Sequence, residues 1–422
     1  MASLKRRAYI PVTKRQDVAE VAFRSKGVER RRTRRYAARA MPISPPLLIT
    51  GASARAAAAS ASCAGWRPMA IDLFCDADLE AHPQERVAQG KYPSSIARLA
   101  HAMPPGPWMY TGGLENHPAL VDAITQEREL LGNPGAVLRR ARDPMLFEAV
   151  LRREGLPALR TCAAGVRAPK QGDWLKKPLC SAGGHGIERW ESAGAIPRGF
   201  YLQEVARGEC AAAVFVTNGA GTRLLGVSEQ LVGLGALHAR PFAHCGSIAP
   251  LHLPAAARST IERQGEVLAH AFGLRGLFGL DIILCDGVPL PLEINPRWTA
   301  SVETIEAAAG LNLFALHAAA FGLGAASTIA PATRCEAVRS SFQGRAILFA
   351  SERVVVTEDL RASARIADVP HPGETIDAGR PVVTIFAEAD SADACRRALI
   401  AFAEAIERRL VPARGIGIIS RR

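Results

Sequence analysis

The readable pattern begins with LLIT (47–50), a short apolar run leading into Gly51-Ala52-Ser53. An alanine-rich stretch with helical character follows and closes at Gly65, and MAIDLF (69–74) is the next apolar run, with Asp72 near its end. Strand, glycine turn, helix and strand make a βαβ unit. The spacing falls short of GxGxxG, so dinucleotide binding has little support and the expectation is a bare Rossmann-like unit. WMYTGG (108–113) reads as a further strand ending in a loop. Helical periodicity then runs through Leu120, Ile124 and Leu130-Leu131, and again over 136–153. This alternation predicts an α/β domain over 46–140.

Beyond Gly172 the period changes to that of strands in hairpin-like pairs: 173–178 with 187–190, 200–205 with 210–216, and then 222–229. A helix is expected over 255–272, two strands flank Asp286-Gly287, and a helix covers about 303–322. The Ala/Pro/Thr-rich stretch 324–334 reads as a linker. AILFA, ERVVV and PVVTIF follow as strands around a turn at His371-Pro372-Gly373. A terminal amphipathic helix is expected after Ser391 as its cap, with Cys395, Leu399, Phe402, Ile406 and Leu410 on one face. The organisation is therefore α/β at the start and α+β afterwards.

Composition narrows the class. With 48% hydrophobic and 22% charged residues, a chain of 422 residues can bury cores for two or three globular units. No window holds 18 consecutive apolar residues, so no helical membrane span is expected. The net charge of +12 is local: residues 1–40 carry 13 Lys/Arg against Asp17, Glu20 and Glu29, and the remainder holds 39 basic groups against 37 acidic. The body of the chain thus gives no reason to expect a nucleic-acid partner. The tail (ERRRTRRYAARA) reads either as an arm for anionic surfaces or as an unstructured basic extension ahead of a start at Met41; the extension is the expectation. Nine scattered cysteines without a CxxC argue against a disulfide framework or structural zinc and for a cytoplasmic protein.

Three segments carry chemistry. Lysine is scarce after residue 40, yet Lys176 and Lys177 stand together in WLKKPLCSAGGHGI, just before Gly183-Gly184-His185-Gly186. Glycine backbone can approach an anion closely and aim N–H groups at phosphate oxygens, and a lysine adds a point charge. The GxxxxGK[ST] of a Walker loop is absent. The second segment is FGLDIILCDGVPLPLEINPRW (278–298), in which Glu293 and Asn295 share a face of one strand. A strict two-residue turn at Asp286-Gly287 sends Asp281 and Glu293 to opposite faces. A three-residue turn over 286–288, or one bulge, instead sets them opposite each other. Two carboxylates and an amide oxygen would then converge, a hard-oxygen set suited to Mg²⁺ bridging phosphates. The third segment, FYLQEVARGE (200–209), offers Gln203, Glu204 and Val205 at a strand end, then Glu209.

In this order, KPLCSAGGHGI, LQEVARGE and the series Asp281…Glu293-Ile294-Asn295-Pro296-Arg297 resemble the ATP-grasp superfamily over about residues 46–330. The C-terminal segment resembles its biotin-carboxylase-like branch. The resemblance implies an N-terminal Rossmann-like pre-ATP-grasp domain (46–140), a two-lobed ATP-grasp domain (141–325) and a small C-terminal β-rich subdomain with a terminal helix (335–415). It implies that Lys177 contacts nucleotide phosphates and that Gly183, Gly184, His185 and Gly186 form the loop closing over them. Gln203, Glu204 and Val205 would form the adenine hinge, with Glu209 as a ribose partner. Asp281, Glu293 and Asn295 would hold two Mg²⁺, with Mn²⁺ as the alternative ion, and Arg297 would neutralise an acyl phosphate. One departure stands out. The family's Asp-Lys pair before the first lobe is replaced by Arg140-Ala141-Arg142-Asp143-Pro144, with proline in the lysine's place. Arg142 is the available substitute, although arginine is not an equivalent point charge.

The expected activity is an ADP-forming ligase in which ATP activates a substrate carboxylate as acyl phosphate and an amine displaces phosphate. The partners would be a small-molecule carboxylate and an amine, an amino acid among the candidates, with a homodimer as the prior and no membrane. Two other readings remain: a biotin- or bicarbonate-using carboxylase, which would need a separate carrier because no AMKM-type segment occurs, and a nucleotide-binding protein without turnover. His185 reads as a phosphate contact or a solvent-facing loop residue. Glu303 either binds an amino group or starts a helix. His244, Cys245 and Ser247 read as lining an acceptor pocket, and a Cys–His pair is disfavoured because adjacent strand residues face apart.

Overall fold

A computed structural model describes residues 45–323 and 341–413, apart from Gln89, Lys170, Ala193, Ala362 and Ala364. The basic extension 1–40, Met41 and the linker 324–334 lie outside the described residues.

The first layer is a parallel sheet of β1 (Pro46–Gly51), β2 (Arg67–Asp72), β3 (Gln84–Arg86) and β4 (Trp108–Tyr110), in the order β3-β2-β1-β4. Helix α1 (Arg55–Cys63) links β1 to β2, and its Ala57, Ala58 and Ala61 are buried, as close helix–sheet packing requires of small residues. The Asp72 carboxylate accepts N–H bonds from Ala54 (2.6 Å), Phe74 (2.7 Å) and Cys75 (2.9 Å). It is thereby committed to closing the two loops at the strand ends, not to a ribose. Helices α2 (Ile96–Ala102), α3 (Pro118–Thr125) and α4 (Gly135–Ala141) complete this part.

The helix expected over 136–153 is in fact two, α4 and α5 (Pro144–Arg153). The Asp143 side chain accepts the N–H of Met145 (2.9 Å) and Leu146 (3.2 Å), and Pro144 occupies the first turn, where its missing N–H costs nothing. The break leaves Arg142 free of both helices.

A small antiparallel sheet follows: β5 (Thr161–Cys162), β6 (Trp174–Pro178), β7 (Glu188–Arg189) and β8 (Phe200–Glu204), in the order β5-β8-β6-β7. The β6–β7 pair is the expected hairpin, but 200–205 does not pair with 210–216. Instead β8 lies between β5 and β6, and β9 (Glu209–Thr217) belongs to a different sheet. Residues 205–208 carry the chain from one sheet to the other; strand propensity marks the strands without marking their partners.

The second sheet has eight strands. To β9 it adds β10 (Thr222–Val232), β11 (His244–Ala249), then after α6 (Ala255–Phe272) the hairpin β12 (Gly276–Cys285) and β13 (Val288–Asn295). The expected helix over 303–322 is divided into α7 (Ala300–Ala309) and α8 (Leu313–Ala320). Gly310 turns left-handed at φ +62° and Asn312 caps α8 by accepting the N–H of Ala315 at 2.7 Å. Strands β14 (Phe342–Phe349), β15 (Val354–Val355), β16 (Ile366–Ala367), β17 (Thr375–Ile376) and β18 (Pro381–Ala389) precede α9 (Ala392–Glu407) and β19 (Val411–Pro412). The sheet order is β13-β12-β9-β10-β11-β14-β18-β16, and β17-β15-β19 form a small separate sheet. The C-terminal strands β14, β18 and β16 therefore continue the sheet that carries the β12–β13 hairpin. Ser391 caps α9 through the N–H of Ala394 (3.2 Å), and Cys395, Leu399, Ala403 and Ile406 are its buried face. Phe402 and Leu410 pack at the margin. The eight described cysteines are free thiols.

A buried ion cluster ties α1, α7, β14 and the loop at Asp368 together. Arg55 at the start of α1 binds Asp368 (Nε to Oδ1, 3.0 Å) and Glu303 on α7 (Nη2 to Oε2, 3.1 Å). Arg345 on β14 lies 3.0 Å from Glu303 and 3.4 Å from Asp368, and the Thr384 hydroxyl donates to Asp368 at 2.5 Å. Burial would raise the Asp368 pKa, but the two guanidiniums outweigh it and hold the carboxyl well below the usual range.

Candidate active site

The β12–β13 hairpin is closed by a two-residue turn, Asp286-Gly287, with both residues at positive φ (+49° and +78°) and Cys285 opposite Val288. The register then shifts. Ile282 faces Pro291 while Asp281 faces Glu293, so Leu292 is an extra residue on β13. The bulge sets the two carboxylates opposite each other, and Asn295 joins them by donating Nδ2 to Asp281 Oδ2 at 3.1 Å. Gln230 on β10 donates to Asp281 Oδ1 at 2.8 Å. Burial, and then the neighbouring Glu293, push the Asp281 pKa up to about 6. Burial also acts upward on Glu293, but Arg142, Lys177 and Arg297 outweigh it and bring its pKa below the ordinary value.

The bulge has a second effect. The Leu292 carbonyl accepts Gln203 Nε2 at 2.9 Å, and Gln203 Oε1 accepts Lys177 Nζ at 3.0 Å. Gln203 and Lys177 lie on β8 and β6 of the small sheet, so this chain of contacts bridges the two sheets and aims a buried ammonium towards the carboxylate pair. Arg297 follows β13 directly. It donates to Asn295 Oδ1 (3.1 Å), to Trp298 O (3.0 Å) and to the buried Glu115 Oε1 (2.6 Å). Arg142 donates to Glu293 Oε2 at 3.0 Å.

The glycine loop covers this cleft. Gly183, Gly184 and Gly186 all have positive φ, and a Cβ on Gly184 would lie 1.8 Å from Phe242 O, so that position admits only glycine. Ser181 Oγ donates to His185 O at 2.5 Å, folding the loop on itself. Lys177, Ser181, Gly183, Gly184, Tyr201 and Glu293 are among the walls of a cavity of about 50 Å³.

The structure thus brings Lys177, Asp281, Glu293, Asn295 and Arg297 together under the Gly183–Gly186 loop. It leaves other expected residues elsewhere or otherwise engaged. His185 is exposed. Glu204 is bound to Arg160 (2.8 Å), the Val205 amide donates to Asp173 O (3.0 Å), and Glu209 is exposed at the start of β9. Gln203 faces Lys177 with its side chain. Glu303 starts α7 and is held in the ion cluster. His244 Nε2 is buried without a hydrogen-bond partner, and burial, with Arg345 and Arg297 nearby, lowers its pKa to about 4. Cys245 turns instead to Leu231 O (3.2 Å), and Ser247 is bonded to Thr304 (2.7 Å). Glu115, Asn116 and Gln230 were not singled out by the sequence; for Glu115 the only signal is an acid placed just after a strand-ending Gly112-Gly113.

The two facing carboxylates, one with its pKa raised, are hard oxygen donors suited to a divalent cation. The Asn295 amide turns its Nδ2 to Asp281 and its Oδ1 to Arg297, and would have to turn over to add its oxygen. Among the described residues no group of three or more His, Cys, Asp or Glu could hold a metal, so further ligands would have to come from a bound phosphate or water.

Comparison with known proteins agrees with this geometry. The ATP-grasp domain family matches residues 141–301. An uncharacterized protein of Methanocaldococcus jannaschii is 29% identical over 187 residues, 44% of this chain and 42% of that protein, so the match spans about two-fifths of the relative's length. Among solved structures, biotin carboxylase of Campylobacter jejuni in its β-γ-ATP complex superposes with TM-score 0.66 at 12% identity, covering 84% of this chain and 89% of that one. The L-amino acid ligase of Bacillus licheniformis gives 0.63 at 15%, covering 88% and 98%. Residues 141–301 thus match the ATP-grasp domain family, and the chain shares its fold with biotin carboxylase and L-amino acid ligase.

Proposed function

We propose that the chain is an ADP-forming carboxylate–amine ligase. The observation that carries this reading is the facing pair Asp281–Glu293 with Asn295, flanked by Lys177 on one side and Arg297 on the other, beneath a glycine loop. ATP is assigned to the cleft between the small and large sheets, with its phosphates towards Lys177 and the loop, and magnesium to Asp281, Glu293 and Asn295. Bound there, the metal would neutralise phosphate charge during transfer.

The chain's own residues would do the rest. Lys177, held by Gln203, places a positive charge on the transferring phosphoryl group. Arg297, fixed by Glu115 and Asn295, stabilises the charge that develops as the substrate carboxylate attacks the γ-phosphate. The loop excludes water so that the acyl phosphate meets the amine before it is hydrolysed. The amine then attacks the acyl carbon, and inorganic phosphate leaves.

The test is ADP release with Mg²⁺ and ATP across a panel of carboxylates, each with and without amino acids as acceptors. Release that depends on both substrates, and is lost in Glu293→Ala, supports the ligase. Release driven by bicarbonate instead would move the assignment to a carboxylase, and nucleotide binding without release would make the chain a non-catalytic binder.

A further inference from the structure

Arg142 is hydrogen-bonded both to the carboxylate edge of the cleft and to the glycine loop. Its Nη1 donates to Glu293 Oε2 (3.0 Å), and its Nη2 donates to the carbonyl of Ser181 (3.2 Å) and to Asn116 Oδ1 (3.3 Å). Asn116 Nδ2 donates to the same Ser181 carbonyl at 3.1 Å. Ser181 opens the loop and is bonded to His185 at the other end of it, so whatever holds Ser181 holds the loop as a unit. The loop in turn rests with Gly184 against the Phe242 carbonyl of the large sheet's side.

We propose that Arg142 is a positioning residue that couples the glycine loop to Glu293, so that taking up a divalent cation at Glu293 loosens the loop. The proposal rests on the reading of Glu293 as a metal ligand. The physical basis is competition within one planar group. A guanidinium offers a rigid fork of donors, and here one arm is spent on Glu293 and the other is shared by Ser181 and Asn116. A hard cation seeks the same carboxylate oxygen and places positive charge beside Arg142. Once Nη1 is displaced the fork turns, and the bond from Nη2 to Ser181 cannot keep its geometry.

The space available gives the coupling its purpose. The cavity beneath the loop measures about 50 Å³, against roughly 300–1,000 Å³ for a small-molecule site. A wider cavity of about 550 Å³ lies beside it, with Arg142, Pro144, Leu179 and Tyr201 in the walls of both, so movement of Arg142 and the loop would join the two. A lysine ammonium at this position would attract phosphate but would offer its donors from one nitrogen, without the planar fork that gives each acceptor its own arm. This gives a reason for arginine at 142 that is independent of any phosphate contact.

Hydrogen exchange over residues 180–187 tests the coupling, with α6 as an internal reference. In the native chain Mg²⁺ alone should speed exchange in the loop by about tenfold, as expected for loss of one charge-assisted hydrogen bond. Arg142→Ala should show fast loop exchange from the outset and no further response to Mg²⁺. Glu293→Ala, which leaves Arg142 in place, should also loosen the loop, because the coupling runs through that pair. Loss of one partner of the pair should lower the melting temperature somewhat in both, so loop exchange is read relative to α6 in the same sample. Loop exchange in Glu293→Ala equal to native, or a Mg²⁺ response that persists in Arg142→Ala, overturns the proposal. Were calorimetry to find no Mg–ADP binding, the ligase reading would fall, while the two variants compared without metal would still decide the coupling.

Discussion

Asp281 stands opposite Glu293 because Leu292 is bulged out of the β12–β13 ladder, and the same bulge presents the Leu292 carbonyl to Gln203. One inserted residue therefore aligns the carboxylate pair and anchors the side chain that holds Lys177. Burial first, and the facing Glu293 second, raise the pKa of Asp281.

Asp281 titrates in a window that can be read directly. Its pKa is raised to about 6 from an ordinary 3.8, so between those values the folded chain binds a proton that the unfolded chain has lost. Without metal, stability should fall as pH rises through that window, and Asp281→Asn should raise the melting temperature at pH 7. Mg²⁺ should stabilise the native chain above pH 6 and do less for the variant. Scanning fluorimetry at pH 5 and 7.5, with and without Mg²⁺, checks this; a variant that melts earlier than native at pH 7.5 without metal would contradict it.

Lys177→Met keeps the length of the buried side chain but removes the ammonium and leaves Gln203 Oε1 unpaired. ADP affinity should weaken by roughly 10- to 100-fold, the worth of a charge-assisted hydrogen bond. Lys177→Arg should not restore it, because the fork does not fit a slot shaped for one nitrogen. Calorimetric titration with Mg–ADP decides, and unchanged affinity in Lys177→Met would remove Lys177 from the phosphate site.

Gly184→Ala introduces a Cβ that would sit 1.8 Å from Phe242 O at a backbone φ of +76°. The loop should fail to seat while the sheets stay intact. Substrate-dependent ADP release should fall by roughly tenfold or more, with little change in melting temperature. Full turnover in this variant would mean that the loop does not need the observed seating.

Asp368→Asn tests the ion cluster. Arg55 and Arg345 would keep Glu303, with Asp78 at 3.8 Å from Arg55, as their remaining counter-charges, and uncompensated buried charge costs about 3–5 kcal/mol. Because the native Asp368 pKa is depressed, its contribution is present above the ordinary carboxylate range and is lost only as pH falls through the low folded value. Urea unfolding at pH 7 should show the full loss in the variant; a loss below about 1 kcal/mol would indicate that the cluster is well solvated.

Much of this was legible in the sequence, and the reasons are local. Gly65, Asp286-Gly287 and Ser391 mark their turns and cap because backbone geometry there depends on the residue itself. The facing of Asp281 and Glu293 was one of two outcomes that alternation allowed, and only the bulge at Leu292, which no residue type announces, selects it. The partner of β8 was misread because pairing is settled by tertiary packing. Asp143-Pro144 carries a helix-start signal, but apolar spacing runs across it, so 136–153 reads as one helix. That break is what frees Arg142 to reach Glu293 and Ser181. Glu115 was invisible because a lone acid after a Gly-Gly turn says nothing about the arginine that folds against it from 182 residues away.

The pairing of β11 with β14 sets a limit on how the chain can be shortened. A fragment ending soon after residue 301 would hold every group assigned to nucleotide and metal, yet it would present β11 as a raw, unpaired border, with the apolar side chains that α9 covers bared beside it. Such a border recruits the same border of another copy. A minimal version cut to the family match should precipitate instead of working as a miniature, because the segment from β14 to α9 (342–407) is what covers that border.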